Sequence, residues 1–286
     1  MKDIKELKQI ANENRKKIIE IVYLAKAGHP GGSLSCIDFL TAIYENYVRL
    51  DKTPRSKVIL SKGHAVPAQY AILHGKGIIG DEELKTFRKV NSRLQGHPHM
   101  VDVPEVDATT GLLGQGLSLG VGVALAKKAN GDPNPVFVIV GDGELAEGQI
   151  WESVLQAAQY HLNNLVMILD SNKLSSSGPV KDVLNIEPIA AKFEAFHWKT
   201  YEIGGHDMEE ILDTLEKARN ESSKPVAIIA NTVKGKGVSF MENNPKWHSG
   251  AISDEEYKTA MEDLDRWGGS GPRGEDPDRT GGMTDE

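Results

Sequence analysis

Two polar residues, each placed just after an apolar run, are of the types that bind hard cations. Asp142 lies in Gly141-Asp142-Gly143, directly after the run from Val136 to Val140, and Asn172 follows the run from Leu165 to Leu169. If both runs are parallel strands, their carboxyl ends meet at the sheet edge where α/β proteins bind ligands. Mg²⁺ takes six oxygen ligands, several of them from water and phosphate. One carboxylate, one amide oxygen and one backbone carbonyl therefore predict a Mg²⁺ site with room for a diphosphate.

Gly143 favours an anion beside this site. It has no side chain to block a phosphate, and the helix expected soon after it offers free backbone N–H groups. A Gly-Asp-Gly sequence alone is equally typical of a simple turn after a strand. The second polar residue, Asn172, after the next apolar run is what favours the ligand site over the turn.

The elements that would position these residues are predicted from hydrophobic patterns. Continuous apolar runs at Val136 to Val140, Leu165 to Leu169 and Val226 to Ala230 are typical of strands covered by helices on both faces. The shorter run from Val58 to Leu60 is a fourth strand candidate. A helical pattern within residues 144–162 joins the first two runs and indicates a right-handed parallel βαβ unit. The sequence predicts an α/β fold with a mainly parallel sheet and helices on both faces.

Two helices are expected before the first strand. Apolar residues from Ile4 to Val22 recur at three- and four-residue spacing, which is typical of a helix. The loop Gly28-His29-Pro30-Gly31-Gly32 follows, and Ser33 or Ser35 is expected to cap a second helix that runs to Tyr47.

Composition limits the classes of function. The chain has 286 residues and a formal net charge of −8, which argues against nucleic acid or an anionic membrane as a partner. Cys36 is the single cysteine, and there is no apolar leader and no run of about 18 apolar residues, so we expect a cytoplasmic protein. Residues 1–267 are predicted to form one domain, and the polar residues 268–286 a disordered tail.

Six motifs in sequence order resemble those of transketolases, over roughly residues 10 to 255. They are Gly28-His29-Pro30-Gly31-Gly32, Leu60-Ser61-Lys62-Gly63-His64-Ala65, Gly96-His97-Pro98, Thr109-Thr110-Gly111-Leu112-Leu113-Gly114-Gln115-Gly116, Gly141-Asp142-Gly143-Glu144-Leu145-Ala146-Glu147-Gly148 with Trp151-Glu152, and Trp247-His248-Ser249-Gly250. The resemblance implies a thiamin-diphosphate-binding fold. It also implies thiamin diphosphate and Mg²⁺ (Ca²⁺ or Mn²⁺ as alternatives) as cofactors, and transfer of a two-carbon ketol unit between sugar phosphates of the pentose phosphate pathway.

The resemblance implies a role for each matching position. The metal ligands would be Asp142, the Asn172 side chain and the Leu174 carbonyl. The residues in contact with thiamin diphosphate would be His64, Gly111, Leu112, Leu113, Gly143, Asn172 and His248. The catalytic residues, which line the channel to the substrate, would be His29, His97 and His248. Glu147 would lie at a subunit interface in a carboxylate network. Leu112 stands where the family often has proline.

Histidines suit this chemistry because ketol transfer forms and consumes alkoxides at substrate hydroxyls. Imidazoles that titrate near neutrality can carry those protons. A histidine outside such motifs is more often structural. That interpretation applies to His74, His99, His161, His197 and His206.

The resemblance also implies a partner chain. Transketolases of this kind are usually more than twice as long, and their remaining part holds the pyrimidine-binding and C-terminal domains. No second set of buried strands is expected after Trp267. We therefore expect a separate C-terminal transketolase subunit that carries those domains, in a two-fold symmetric heterotetramer.

Two other hypotheses stay open at this point. One is a subunit of another thiamin-diphosphate enzyme, either deoxyxylulose-phosphate synthase or the α chain of an oxo-acid dehydrogenase. Lys62-Gly63-His64 and Trp247-His248-Ser249-Gly250 favour transketolase over both. The other is a non-catalytic cofactor-binding module, against which the joint presence of Asp142, Asn172 and the motif histidines argues.

Overall fold

A five-stranded sheet organises the chain in the computed structural model, which describes residues 2–268. All neighbouring strands are parallel, in the order β1-β2-β3-β5-β4. The strands are β1 Lys57–Leu60, β2 Val136–Gly141, β3 Leu165–Ser171, β4 Lys199–Gly204 and β5 Val226–Asn231. The predicted α/β class, the parallel sheet and the four predicted strands are confirmed.

Helices account for most of the remaining regular structure. They are α1 Ile4–Ala25, α2 Pro30–Asn46, α3 Val66–Gly75, α4 Asp81–Leu84, α5 Gln115–Ala129, α6 Gly148–Gln159, α7 Val180–Val183, α8 Ile189–Ala195, α9 Met208–Arg219 and α10 Asp254–Gly268. Short 3₁₀ turns occupy Gly63–Ala65, Asp142–Ala146 and Pro245–His248. None of the helices between residues 2 and 268 is long and apolar enough to cross a membrane.

The central strands are apolar throughout because each of their faces lies in a different core. In β2, Phe137 and Ile139 pack into a core that includes α1, α2, α3, α9 and α10. Val136, Val138 and Val140 point the other way, into a core that includes α5, α6 and α8. A strand covered on both faces has no polar alternation, so its sequence is a continuous apolar run.

The edge strand β4 has no such run, and the sequence did not predict it. Of its six residues only Ile203 is buried, and the strand pairs on one side with β5. A half-exposed edge strand needs few apolar residues, so its pattern resembles that of a loop.

The predicted start of the second helix was wrong. Helix α2 begins at Pro30 rather than after Ser33 or Ser35, because proline is favoured in the first helical position. The Ser33 hydroxyl donates back to the His29 carbonyl at 2.7 Å, and the Ser35 hydroxyl donates to Asp170 at 2.6 Å. The two serines therefore lie inside the helix and do not cap it.

The single domain was predicted to end at residue 267, and the last residue that the structure describes is 268. Helix α10 ends with Gly268. The rest of the predicted polar tail lies outside the described residues.

Candidate functional site

Asp142 and Asn172 lie together at the carboxyl edge of the sheet. Strands β2 and β3 are in register, with Gly141 opposite Asp170, so the loops that follow them are neighbours. One carboxylate oxygen of Asp142 accepts from the Gly143 N–H at 2.7 Å, and the other accepts from the Lys173 N–H in the second loop. The two loops predicted from the sequence to meet are therefore joined by a direct hydrogen bond.

The oxygens gathered here suit a hard divalent cation. Asp142 is buried, and burial raises its pKa to about 6, with the charge of Asp170 acting in the same direction. The Asn172 side-chain oxygen accepts from the Leu174 N–H at 3.1 Å, and the Leu174 carbonyl faces the same edge, where Lys234 donates to it. Each of these oxygens has a further lone pair for a metal ion. A cation held by three such groups would complete its shell from water or an anion, as Mg²⁺ does.

Two buried lysines lie at this edge. The Lys62 ammonium donates to the Gly32 carbonyl at 2.8 Å and forms an ion pair with Asp170. The Lys234 ammonium donates to the carbonyls of Leu174, at 3.0 Å, and of Ser175, at 3.1 Å. Burial lowers the pKa of Lys234 to about 8, and the Lys62 charge acts in the same direction. Because Lys62 is paired with Asp170, the desolvated Lys234 ammonium is the group that favours an anion at this point.

His29, His64 and His248 form a cluster of imidazoles next to the lysines. Their ring centroids are 5.0–5.4 Å apart, and His248 Nδ1 lies 3.0 Å from the Lys234 ammonium. Burial lowers the pKa of His29 and of His248 to about 4, and that of His64 well below its usual value. All three rings are therefore neutral at pH 7. The buried His29 Nδ1 has no hydrogen-bond partner among residues 2–268.

The turn that contains Gly111 packs against His97. A Cβ atom at Gly111 would lie 3.3 Å from the His97 ring, which is closer than most side-chain contacts. Burial lowers the pKa of His97, and the Arg88 charge acts in the same direction. Leu112 is 78% exposed and Leu113 is 37% exposed. The structure thus brings the predicted His97 and turn residues together, with the two leucines at the surface of this chain.

Hydrogen bonds to Glu144 link the turn that contains Gly111 to the end of β2. The buried Glu144 carboxylate accepts from the Gly114 N–H at 2.8 Å, the Gly141 N–H at 3.2 Å and the Ser61 hydroxyl. Glu147, by contrast, is exposed and lies beside Gly114. The interface predicted for Glu147 requires a second chain, which its exposure would permit.

Replacing Glu144 with glutamine is expected to lower the free energy of unfolding by about 2 kcal/mol. The amide would turn an N–H₂ group toward backbone N–H groups that now donate to a carboxylate. Urea denaturation of the full chain measures the loss. The exposed Glu152 provides the matched control, because Glu152→Gln should change stability by less than about 0.5 kcal/mol. Equal stabilities of the two variants would contradict the role of Glu144.

Some residues of this site were missed in the sequence. Lys62 stands inside a quoted motif but was given no role, and Asp170 is part of a strand that looked purely structural. Lys234 follows β5 in Thr232-Val233-Lys234-Gly235, and a lysine just after a buried strand is the signal that could have found it.

Comparison with known proteins decides the family. Residues 6–268 match the family model described as "Transketolase, thiamine diphosphate binding domain". The chain belongs to the transketolase family. Its match is to the thiamin-diphosphate-binding part of transketolases, as the motifs predicted, and this favours transketolase over the synthase, dehydrogenase and non-catalytic alternatives.

The extent of the match differs between two groups of transketolases. The chain is 42% identical to an apulose-4-phosphate transketolase subunit of Phocaeicola vulgatus, over 91% of this chain and 94% of that one. It is 38% identical to 6-deoxy-6-sulfo-D-fructose transketolase subunit SqwG of Clostridium sp. strain MSTE9, over 92% and 98%. The crystal structure of Campylobacter jejuni transketolase superimposes with a TM-score of 0.85 at 35% identity, over 92% of this chain but 43% of that one. In extent, this transketolase chain corresponds to the relatives that are named as single subunits and to the N-terminal part of longer transketolases.

Proposed function

We propose that this chain is the diphosphate-binding subunit of a two-chain transketolase. The enzyme would transfer a two-carbon ketol unit from a ketose phosphate to an aldose phosphate, with thiamin diphosphate and Mg²⁺ as cofactors. The observation that carries the proposal is the meeting of the Asp142 and Asn172 loops beside two buried lysines and three neutral histidines. The near-complete match to proteins named as transketolase subunits supports the two-chain assembly.

The metal and the diphosphate would be held at the sheet edge. Asp142, the Asn172 oxygen and the Leu174 carbonyl would bind Mg²⁺, for which Ca²⁺ or Mn²⁺ are alternatives. The Gly143 N–H, the turn of Gly111, Leu112 and Leu113, and the rings of His64 and His248 would contact thiamin diphosphate. The bound cofactor supplies the electron sink for the carbanion, and the protein supplies position and charge.

The catalytic proposal concerns His29, His97 and His248. Burial keeps His29 and His248 neutral at pH 7. A neutral His29 can accept a proton from a substrate hydroxyl without first losing one. Because the Lys234 ammonium lies 3.0 Å from His248 Nδ1 and can only donate, the neutral His248 ring carries its proton on Nε2 and would donate to a substrate oxygen. These residues would orient sugar hydroxyls and carry protons at the oxygen atoms of the substrate.

The partner would bind over α5, α6 and the turn before α5, which expose three leucines. Leu112, Leu119 and Leu155 on these elements are 78%, 43% and 54% exposed, and a 2.6 Å hydrogen bond between Gln115 and Gln149 joins the two helices. A separate C-terminal subunit with the pyrimidine-binding and C-terminal domains would bind here, within a two-fold heterotetramer. Glu147 would then lie in an interface carboxylate network. The buried, reduced Cys36 is compatible with a cytoplasmic enzyme.

Reconstitution tests the proposed function. The chain is assayed alone and with a candidate partner from the neighbouring reading frame, with and without thiamin diphosphate and Mg²⁺. We expect no ketol transfer from the chain alone, and transfer from ketose-phosphate donors, apulose-4-phosphate among them, when both chains and both cofactors are present. Full activity without the partner would contradict the two-chain assembly. Turnover of pyruvate but of no ketose phosphate would favour the synthase or dehydrogenase class instead.

A further inference from the structure

A buried hydrogen-bond network lies behind Lys234 at the sheet edge. The Arg15 guanidinium pairs with both oxygens of Asp38, one of them at 2.9 Å. His206 Nδ1 lies 2.7 Å from Asp38, and the Val233 N–H donates to His206 Nε2 at 2.8 Å. An Nε2 atom that accepts carries no proton, so the ring is the neutral tautomer that donates from Nδ1 to Asp38.

The charge of Asp38 is retained within this network. Burial alone would raise the pKa of its carboxyl, but Arg15 and the hydrogen bond from His206 hold that pKa well below its usual range. The Asp38 carboxylate therefore remains an acceptor at neutral pH and keeps the imidazole in one orientation. Such a carboxylate behind a histidine fixes both the tautomer and the ring plane.

The network ends on the main chain next to Lys234. The Val233 N–H is bound by His206, and the Gly235 N–H donates to the Gly31 carbonyl at 3.0 Å. The backbone is thus held on both sides of Lys234. Because the Lys234 ammonium must reach the Leu174 carbonyl, a shift of this backbone would move the ammonium as well.

The loop that contains His206 lies very close to the backbone that follows β5. The Gly205 N–H donates to the Asn231 carbonyl at 2.8 Å, and a Cβ atom at position 205 would lie 2.3 Å from the Thr232 side chain. Only glycine permits that approach. It brings the imidazole of the next residue, His206, within reach of the Val233 N–H.

We propose that His206 is a positioning residue for cofactor binding, which rests on the proposed function. Its neutral imidazole holds the Val233 N–H and so fixes the Lys234 ammonium beside the metal ligands, where it meets the diphosphate. Lys234 lies at the diphosphate end of the site, so loss of the contact weakens cofactor binding and leaves turnover at saturating cofactor unchanged.

Three variants test this role in the full chain, with its partner subunit present for kinetics. His206→Leu removes the acceptor, and His206→Gln restores an acceptor at a similar reach. Gln69→Leu is the matched control, because it removes a buried 2.7 Å hydrogen bond between α3 and the Tyr44 hydroxyl of α2 rather than one to the loop of Lys234. The readouts are the half-saturating concentration of thiamin diphosphate, kcat at saturation, and hydrogen exchange of residues 232–243 without cofactor.

The expected results distinguish a role of His206 in positioning Lys234 from a role in the stability of the chain alone. His206→Leu raises the half-saturating concentration about tenfold, changes kcat by less than about twofold, and speeds exchange in residues 232–243. His206→Gln recovers most of the affinity, and Gln69→Leu leaves affinity and loop exchange as in the wild type while lowering stability.

Several outcomes would overturn the role of His206. They are an unchanged half-saturating concentration in His206→Leu, a change of equal size in Gln69→Leu, or no recovery in His206→Gln. Failure of the proposed function is distinguishable, since the wild-type pair would then show no dependence on thiamin diphosphate. In that case the exchange experiment still decides whether His206 holds the loop of Lys234.

Discussion

Asp142→Asn is expected to weaken binding of thiamin diphosphate in the presence of Mg²⁺ by about a hundredfold or more. Removing a group that only supports a metal ligand commonly costs 10–100-fold, and Asp142 is proposed as a ligand itself. It is also the single charged group among the three proposed ligands. Titration calorimetry of the full chain with its partner, at fixed Mg²⁺, measures the change.

Loss of binding in Asp142→Asn should not reflect unfolding. Burial already disfavours the charged form of Asp142, as its raised pKa of about 6 indicates, so a neutral residue of the same shape removes a desolvation cost. This gain offsets part of the cost of turning the asparagine N–H₂ group toward the N–H of Gly143 or Lys173. We expect the melting temperature without cofactor to change by only a few degrees. Asp182→Asn, at an exposed position of α7, is the matched control and should bind as the wild type does. Equal cofactor affinity in Asp142→Asn and Asp182→Asn would refute the proposed metal site.

Asp170→Asn is expected to destabilise the chain by about 3–5 kcal/mol, the cost of leaving one charge of a buried ion pair without its partner. Asp170 is fully buried and pairs with Lys62, which is 2% exposed. It also accepts from the Ser35 hydroxyl and, at 3.1 Å, from the Asn172 amide. In a chain of this size the loss corresponds to a fall of about 10 °C in melting temperature. Calorimetry without cofactor measures it.

Two further variants identify the cause of the loss in Asp170→Asn. Asp213→Asn breaks an ion pair with Lys217 at the surface, where water screens the charges, so it should change the melting temperature little. The double variant Lys62→Met with Asp170→Leu removes both charges and should recover part of the stability. If Asp170→Asn melts at the same temperature as Asp213→Asn, the buried pair does not contribute as proposed.

The sequence predicted those strands that can be recognised from their own residues alone. Strands β2, β3 and β5 have helices over both faces, so each is a continuous apolar run that can be recognised without knowing its neighbours. Asp142 and Asn172 could be placed for a similar reason, because residues just after parallel strands share one edge. β4 could not be predicted, since its place at the edge of the sheet, rather than its composition, makes it a strand.

The positions of Lys234 and His206 depend on contacts with residues far away in the sequence. Lys234 reaches Leu174 from another strand end, and the imidazole of His206 is held between Asp38 and Val233. Nothing near His206 in the sequence distinguishes it from a structural histidine at the surface. Such contacts follow from the order of the strands, which the apolar runs alone do not reveal.

The imidazole cluster is assembled from three distant segments of the chain. His29 precedes α2, His64 follows β1, and His248 ends a turn that comes after the whole sheet. The sheet is already complete at Asn231, but the chain from that residue to the end of α10 also buries apolar side chains in the core around α1 and α2. The third imidazole is therefore supplied by a segment that also completes the core, and a single cut between Asn231 and His248 would lower both resistance to denaturation and the proposed proton transfer.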